Sequence, residues 1–418
     1  MVELRVLMLT PEFLPVYGGV GNYVLQIATN LPDDISVHVV TPRHRDLPGD
    51  ETDQSSDCLK KLPRNVKVSY LGTATDTFFK NFSFQLNCSQ FVQSVVRREE
   101  VDIVHSQSAM PDFLISPKRL PIPIVTTMHT TVGGHADALG HVATSSNRLS
   151  SPERFVLLLG PLLKRMESRY YTNQRYYVTV SQWARQTMID AQGIDASRIR
   201  MINIGVDCEV FNPSNAERAR TRFPQLADVE VPKVLYLSRM AARKGIDVLL
   251  KAIPRVLAKT DAHFIFAGSG KKPLFKIPKS SYTYLGYVPR DAPPCLYALS
   301  DIFVLPSLYE NFPACLLEAM ASQCGVVSTR VGGIPEMIED GTNGMLIPAN
   351  DVDALADALI RLAEDKELRR AFGRRARASV IERFSWKEAA FRTAKYYEEV
   401  IDRHREEKKG EAGKRWRL

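Results

Sequence analysis

Two successive series of short apolar runs, each run separated from the next by a helical stretch, constrain this chain more than any other feature. The first series reads LRVLMLT, ISVHVVTP, VKVSYLG, VDIVHSQ, PIVTTMHT and YYVTVS; the second reads KVLYLSR, HFIFAGSG, YTYLGYV, DIFVLPS, VVSTR and GMLIPAN. Runs this rich in Val, Ile, Leu, Phe and Tyr need burial on both faces, which a parallel sheet covered by helices supplies. Helices are expected between them, among others at FVQSVVRREE, from Pro152 to Arg175, from Gly245 to Lys259, near Pro294 to Leu299 and from Asp353 to Ala363. Each series therefore predicts an α/β domain with a doubly wound, Rossmann-like sheet. At 418 residues the chain has room for both, since a single core stops growing at about 250–300 residues.

The first domain is expected over 1–212 and the second over 213–383, with proline and asparagine clustered in INIGVDCEVFNPSNAERART and a linker at ADVEVPK. In the remaining 384–418, Trp386, Ala390, Phe391, Ala394, Tyr397 and Ile401 recur at helical spacing before a basic tail. That pattern predicts an amphipathic helix packing back on the first domain. Two doubly wound domains are expected to face each other across a cleft, with ligands at the carboxyl ends of the strands.

Composition narrows the class of protein. Apolar content of 44% and charged content of 24% fit a globular chain, no run approaches the roughly 20 apolar residues of a membrane span, and MVELRVLML lacks the basic start of a signal peptide. A cytoplasmic location is expected. The six cysteines, Cys58, Cys88, Cys208, Cys295, Cys315 and Cys324, contain no CxxC pair, so reduced and mostly buried thiols are expected rather than a disulfide frame or zinc site. The net charge of +8 is concentrated partly in Arg369, Arg370, Arg374, Arg375 and Arg377. Such a cluster suits peripheral contact with the inner face of an anionic membrane; the plain alternative is a solvated helix face. No aromatic-interleaved motif accompanies it, so nucleic acid is not expected as a partner.

Several residues stand where chemistry gathers. LPSLYENFPACLLEAMASQCGVVSTRVGGIPE holds Glu310 and Glu318 eight positions apart in an apolar segment. Pro313 suits the first turn of a helix continuing from Ala314 to Ala321, which sets Glu310 just before the helix mouth and Glu318 inside it, about 80° around the axis. Carboxylates pair with vicinal hydroxyls and a helix mouth attracts phosphate, so a sugar nucleotide would suit both; an N-terminal acid and an interior salt bridge are the alternative. SRMAARKG sets Arg239 and Lys244 after the first strand of the second series, where two cations could clamp a diphosphate or simply line the surface. Gly18, Gly19 and Gly21 mark the first strand-to-helix joint, but the pattern is not GxGxxG. His105, His129 and Ser181 each stand at an expected strand end. Asp351 and Asp353 form the one DxD, where a helix N-cap is expected rather than a metal pair.

Taken in order, GGVGNYV, TMHTT, VSQWARQTMI, GVD followed by FNP, SRMAARKGIDVLL, the Glu-x7-Glu segment with EAMAS, and GGIPE make the chain resemble the retaining glycosyltransferases of the large family 4 of nucleotide-sugar enzymes, over nearly its whole length. The resemblance implies a GT-B fold and a hexosyl transfer from a UDP- or GDP-linked donor to a lipid, sugar phosphate or growing glycan. It also implies roles. Glu318 would bind the donor ribose and Glu310 the transferred sugar, near the backbone of Asn311, Phe312 and Pro313. Pro313 has no N–H, so one sugar contact would be lost or supplied by Ala314. Arg239 and Lys244 would hold the diphosphate, with amides of Gly18 and Gly19 opposite, and His129 would contact the donor sugar. No cofactor and no metal are implied. Gln323 and Gly325 depart from a glycine and a proline common in such enzymes, and Ser238 from a frequent glycine. An epimerase or hydrolase on the same scaffold, or a catalytically inactive glycan-binding relative, are the alternatives. Gly133, Gly134 and Gly140, in the loop after His129, could shape an acceptor pocket or be a surface connection.

Overall fold

The computed structural model describes residues 4–14, 18–44, 59–60, 62–74, 82–98, 100–109, 111–129 and 151–415; Gly133, Gly134, Gly140 and Cys58 lie outside them. The chain divides into two compact units. The first comprises Met1–Thr131, Leu162–Ile204 and Trp386–Leu418, and the second is built chiefly of Gly205–Ser385.

In the first unit, β1 (Leu4–Leu9), β2 (Ile35–His44), β3 (Val66–Ala74), β4 (Ile103–Gln107), β5 (Ile124–Met128), β6 (Tyr176–Thr179) and β7 (Ile199–Met201) form one sheet in the order β3-β2-β1-β4-β5-β6-β7. Every pairing is parallel. Six of these strands are the runs of the first series. The seventh was not among them: β7 has three residues, one of them exposed, too short for an apolar run to register. Val6, Leu7, Met8 and Leu9 of β1, and all of β4 and β5, are buried, as strands covered on both faces must be.

In the second unit, β8 (Lys233–Leu237), β9 (His263–Ala267), β10 (Tyr282–Gly286), β11 (Ile302–Leu305), β12 (Gly325–Thr329) and β13 (Met345–Ile347) run in the order β10-β9-β8-β11-β12-β13, again all parallel. Its core packs Leu249, Ile253 and Val256 of helix Ile246–Leu257 and Leu355, Leu359 and Leu362 of helix Val352–Glu364 with the sheet. Asp351 caps the latter helix by accepting from the Ala354 amide at 2.9 Å, and Asp353 pairs with Arg255. That is the N-cap its position predicts.

The break between units falls at 204/205, ahead of the expected 212/213, because the intervening segment is tied to the second unit. The Val206 amide donates to Phe384 O at 3.0 Å, and Arg377 donates to Phe211 O at 3.0 Å and Cys208 O at 3.3 Å. Arg377 also donates to Ala321 O, Arg375 to Thr342 O, and the 7% exposed Arg369 to Leu362 O. Three of the five clustered arginines thus tie backbone carbonyls, while Arg370, Arg374 and Arg375 are exposed. Among the described residues, no helix is long and apolar enough to cross a membrane.

Helix Trp386–Arg415 belongs to the first unit. Trp386 meets Tyr23 edge-on at 6.0 Å, Tyr396 Oη donates to Arg198 O at 2.9 Å, and Arg198 pairs with Glu407 at 2.6 Å. His105 is fully buried inside β4 rather than at its end, with Nδ1 2.5 Å from Tyr397 Oη and Nε2 2.7 Å from Thr127 Oγ1. Burial lowers its pKa to about 3. Ser181, likewise, caps helix Gln182–Gln192 through the Ala184 amide.

Candidate active site

In the second unit the strand order reverses between β8 and β11, so their following loops diverge to either side of a crevice at the carboxyl edge, the usual ligand position in such sheets. Backbone contacts lock these loops together. Met240 N donates to Ser269 O at 2.8 Å, Leu308 N to Arg243 O at 2.9 Å, and Gly333 N to Asn311 O at 3.0 Å. Two glycines allow the approach. A Cβ on Gly245 (φ +73) would lie 1.8 Å from Pro306 O, and one on Gly332 (φ +54) 1.6 Å from Glu310 O. Only glycine tolerates both the dihedral and the distance.

Within this frame Lys244 and Glu310 meet directly. Lys244 Nζ donates to Glu310 Oε1, which also accepts from Ser307 Oγ at 2.8 Å. Glu310 is 7% exposed. Burial alone would raise its pKa, but the Lys244 and Arg243 charges and the two hydrogen bonds hold it below the usual carboxylate value. The result is a carboxylate kept ionised at the edge of a sheet crevice, a strong acceptor for hydroxyl groups.

The helix begins at Ala314 and ends at Ala321, with Pro313 as an extended N-cap (φ −75, ψ 115) rather than a first-turn residue. Glu310 is in the loop that feeds the helix, as expected, and the 80° spacing about a common axis does not apply. Phe312 is anchored against Phe384, ring centroids 5.6 Å apart, and Asn311 is buried. Glu318, one turn into the helix, is partly buried; Tyr297 Oη donates to its Oε2 at 3.0 Å. Burial raises its pKa to about 7, against the opposing pull of the Tyr297 hydroxyl and the Arg290 charge. Cys315, between the two acids, has its thiol pushed up to about 12 by burial, so it is an inert thiol here. The structure thus joins Lys244 to Glu310, with Ala314 and Glu318 on the adjacent helix. Arg239 is exposed, and among the described residues its guanidinium has no hydrogen bond or ion pair.

In the first unit, helix Gly19–Asn30 begins after Gly18, its N-cap residue, and both glycines are exposed. The helix-mouth amides already have an anion: Glu12 Oε1 accepts from Val20 N at 3.0 Å and Gly21 N at 3.2 Å. His129 follows β5, with Nε2 3.0 Å from Gln107 Oε1 and its ring 4.8 Å from that of Tyr23. Burial lowers its pKa to about 4, which keeps it neutral at pH 7. Sequence reasoning missed Glu12, Ser307, Arg243 and Tyr297. Of these, Arg243 and Ser307 lay inside motifs already singled out, whereas Glu12 and Tyr297 depend on contacts and rotamers that no spacing reveals.

Among the described residues no group of three or more His, Cys, Asp or Glu could hold a metal ion.

Comparison with known proteins agrees with this architecture. Residues 17–210 match the family model described as Glycosyltransferase Family 4, and 231–365 match Glycosyl transferases group 1. The chain is 24% identical to the MMP alpha-(1->4)-mannosyltransferase of Mycolicibacterium hassiacum, covering 96% of this chain and 99% of that protein. It is 27% identical to the phosphatidyl-myo-inositol mannosyltransferase of Mycolicibacterium smegmatis, over 95% and 94% of the two. The crystal structure of Anabaena HepE in complex with UDP-glucose superposes with a TM-score of 0.69 at 19% identity, over 95% of this chain and 100% of that one. With two parallel Rossmann-like sheets and both family models matched along its length, the chain is a glycosyltransferase of the family 4 type, with the GT-B fold.

Proposed function

We propose that this glycosyltransferase moves a hexosyl unit from a UDP- or GDP-linked sugar to a lipid, sugar phosphate or glycan acceptor, with retention of configuration and without a metal. The observation that carries the reading is the second unit's crevice, where ionised Glu310 is held by Lys244 and Ser307 with Glu318 one turn into the adjoining helix. Glu310 accepts hydroxyls of the transferred sugar, and Glu318 those of the ribose. Lys244 and the exposed Arg239 neutralise the diphosphate, with the Ala314 amide supplying the contact Pro313 cannot.

Charge grows on the diphosphate oxygens as the glycosidic bond breaks. Cations already fixed at that point favour the transition state over the ground state, which is where an enzyme gains rate. The acceptor oxygen bonds to the anomeric carbon on the face the phosphate leaves, and its proton passes to a departing phosphate oxygen. Neutral His129 is available as a hydrogen-bonding group rather than a cation. Anionic membrane contact would bring a lipid acceptor within reach, and salt-sensitive binding to anionic vesicles tests it.

Lys244→Ala is expected to leave the circular dichroism spectrum unchanged and to cut kcat by about 10²–10³-fold, the scale for losing one preorganised electrostatic contact. Release of nucleoside diphosphate in the presence of acceptor measures it. Full turnover in this variant would contradict the proposal.

A further inference from the structure

Glu318 is one turn into a short helix and has two oxygens of which one is already taken. The donor is Tyr297 Oη, 3.0 Å from Oε2; among the described residues Oε1 accepts no hydrogen bond. Tyr297 comes from a different element, helix Pro293–Leu299, and is fully buried. Its ring is clamped edge-on by Phe211 (5.9 Å, 69°) and Phe303 (5.5 Å, 66°), and Cys324 Sγ donates to its carbonyl at 3.3 Å. A phenylalanine would fill that space equally well, so the core has no need of the hydroxyl. A buried phenol needs a partner, and here the partner is the carboxylate of Glu318.

Arg290 is an exposed cation that acts electrostatically on Glu318. The hydrogen bond that fixes the carboxylate's rotamer comes from the phenol, itself held by two rings.

We infer that Tyr297 is a positioning residue of the donor site, its hydroxyl holding one oxygen of Glu318 so that the other stays available to the ribose hydroxyls of a bound sugar nucleotide. This rests on the reading of Glu318 as the ribose ligand. The charged and titratable groups acting on that carboxyl are Tyr297, Arg290 and, on its own helix, Cys315. The hydroxyl favours the ionised carboxylate, so its removal moves the protonation of Glu318 to higher pH.

The test compares Tyr297→Phe, Glu318→Gln and the double variant with wild type, measuring donor KM and kcat from pH 5.5 to 9 at saturating acceptor. In wild type, KM for the donor is expected to fall as pH rises through about 7, as Glu318 ionises. Tyr297→Phe is expected to raise KM about tenfold at pH 7, to change kcat less than about twofold, and to move that fall to higher pH, the signature of lost uniform binding. The double variant is expected to match Glu318→Gln alone, because Tyr297 acts through that carboxyl. A wild-type KM and pH profile in Tyr297→Phe would overturn the inference. So would multiplicative effects in the double variant, or failure of Tyr297→Phe to fold, either of which assigns the hydroxyl to the core. If Glu318→Gln alone leaves donor KM unchanged, it is the ribose reading that fails.

Discussion

Gln323 illustrates what a single residue can reveal. It has φ +63 and is exposed, at the turn where helix Ala314–Ala321 passes into β12. The dihedral suits glycine, since a side chain in the left-handed region costs roughly 1–2 kcal/mol. Gly325 has its own reason for departing from proline: its amide donates to Asp301 O at 3.0 Å, a bond proline cannot make. Gln323→Gly is expected to stabilise the chain by up to about 1 kcal/mol after the greater unfolded-state freedom of glycine is subtracted, a rise in Tm of about 2–4 °C. Thermal unfolding followed by circular dichroism measures it, and a fall in Tm would contradict the account. Glu310, Glu318 and Lys244 were legible because charges inside apolar or glycine-marked segments are conspicuous in sequence. Tyr297 and Glu12 were not: Tyr297 reads as one more aromatic in an apolar helix, and Glu12 as a loop acid, until folding aims them at Glu318 and at the Val20 and Gly21 amides.

At the scale of elements, strands were legible wherever they are buried on both faces, and the three-residue β7, with one residue buried and one exposed, was missed for want of that pattern. Helix Trp386–Arg415 shows an apolar stripe doing more than packing. Tyr397, within the predicted stripe, hydrogen-bonds the fully buried His105, which no periodicity announces. Tyr397→Phe removes that partner and leaves a buried ring nitrogen unsatisfied, so a loss of about 1–3 kcal/mol is expected. Urea unfolding measures it, and an unchanged midpoint would contradict it. The histidine also gives that contact a pH sign. Its folded pKa is lowered to about 3, so as pH falls from about 6.5 the unfolded chain takes up the proton first. Stability from keeping His105 neutral is therefore complete above about 6.5 and drains away on acidification towards 3.

At the scale of the whole molecule, the chain builds one topology twice. Both sheets reverse strand order beside their first strand, between β1 and β4 in the first unit and between β8 and β11 in the second. The duplicated alternation in sequence sufficed for this, because parallel strands must be joined by crossovers and a right-handed crossover leaves few arrangements. The unit boundary was less legible: the segment after Ile204 reads as the end of the first domain, with the linker further on at ADVEVPK, yet hydrogen bonds from Arg377 and to Phe384 bind it into the second unit. The central claim is that the second unit's crevice, with Lys244, Glu310 and Glu318, holds a nucleotide sugar. Calorimetric titration of wild type, Lys244→Ala and Glu310→Gln with UDP- and GDP-sugars tests it most directly. The account predicts saturable binding of one nucleotide class by wild type, weakened about tenfold or more in each variant, the scale of a lost charge-assisted contact. Equal affinity in all three proteins, or no binding of either class by the wild type, would contradict it.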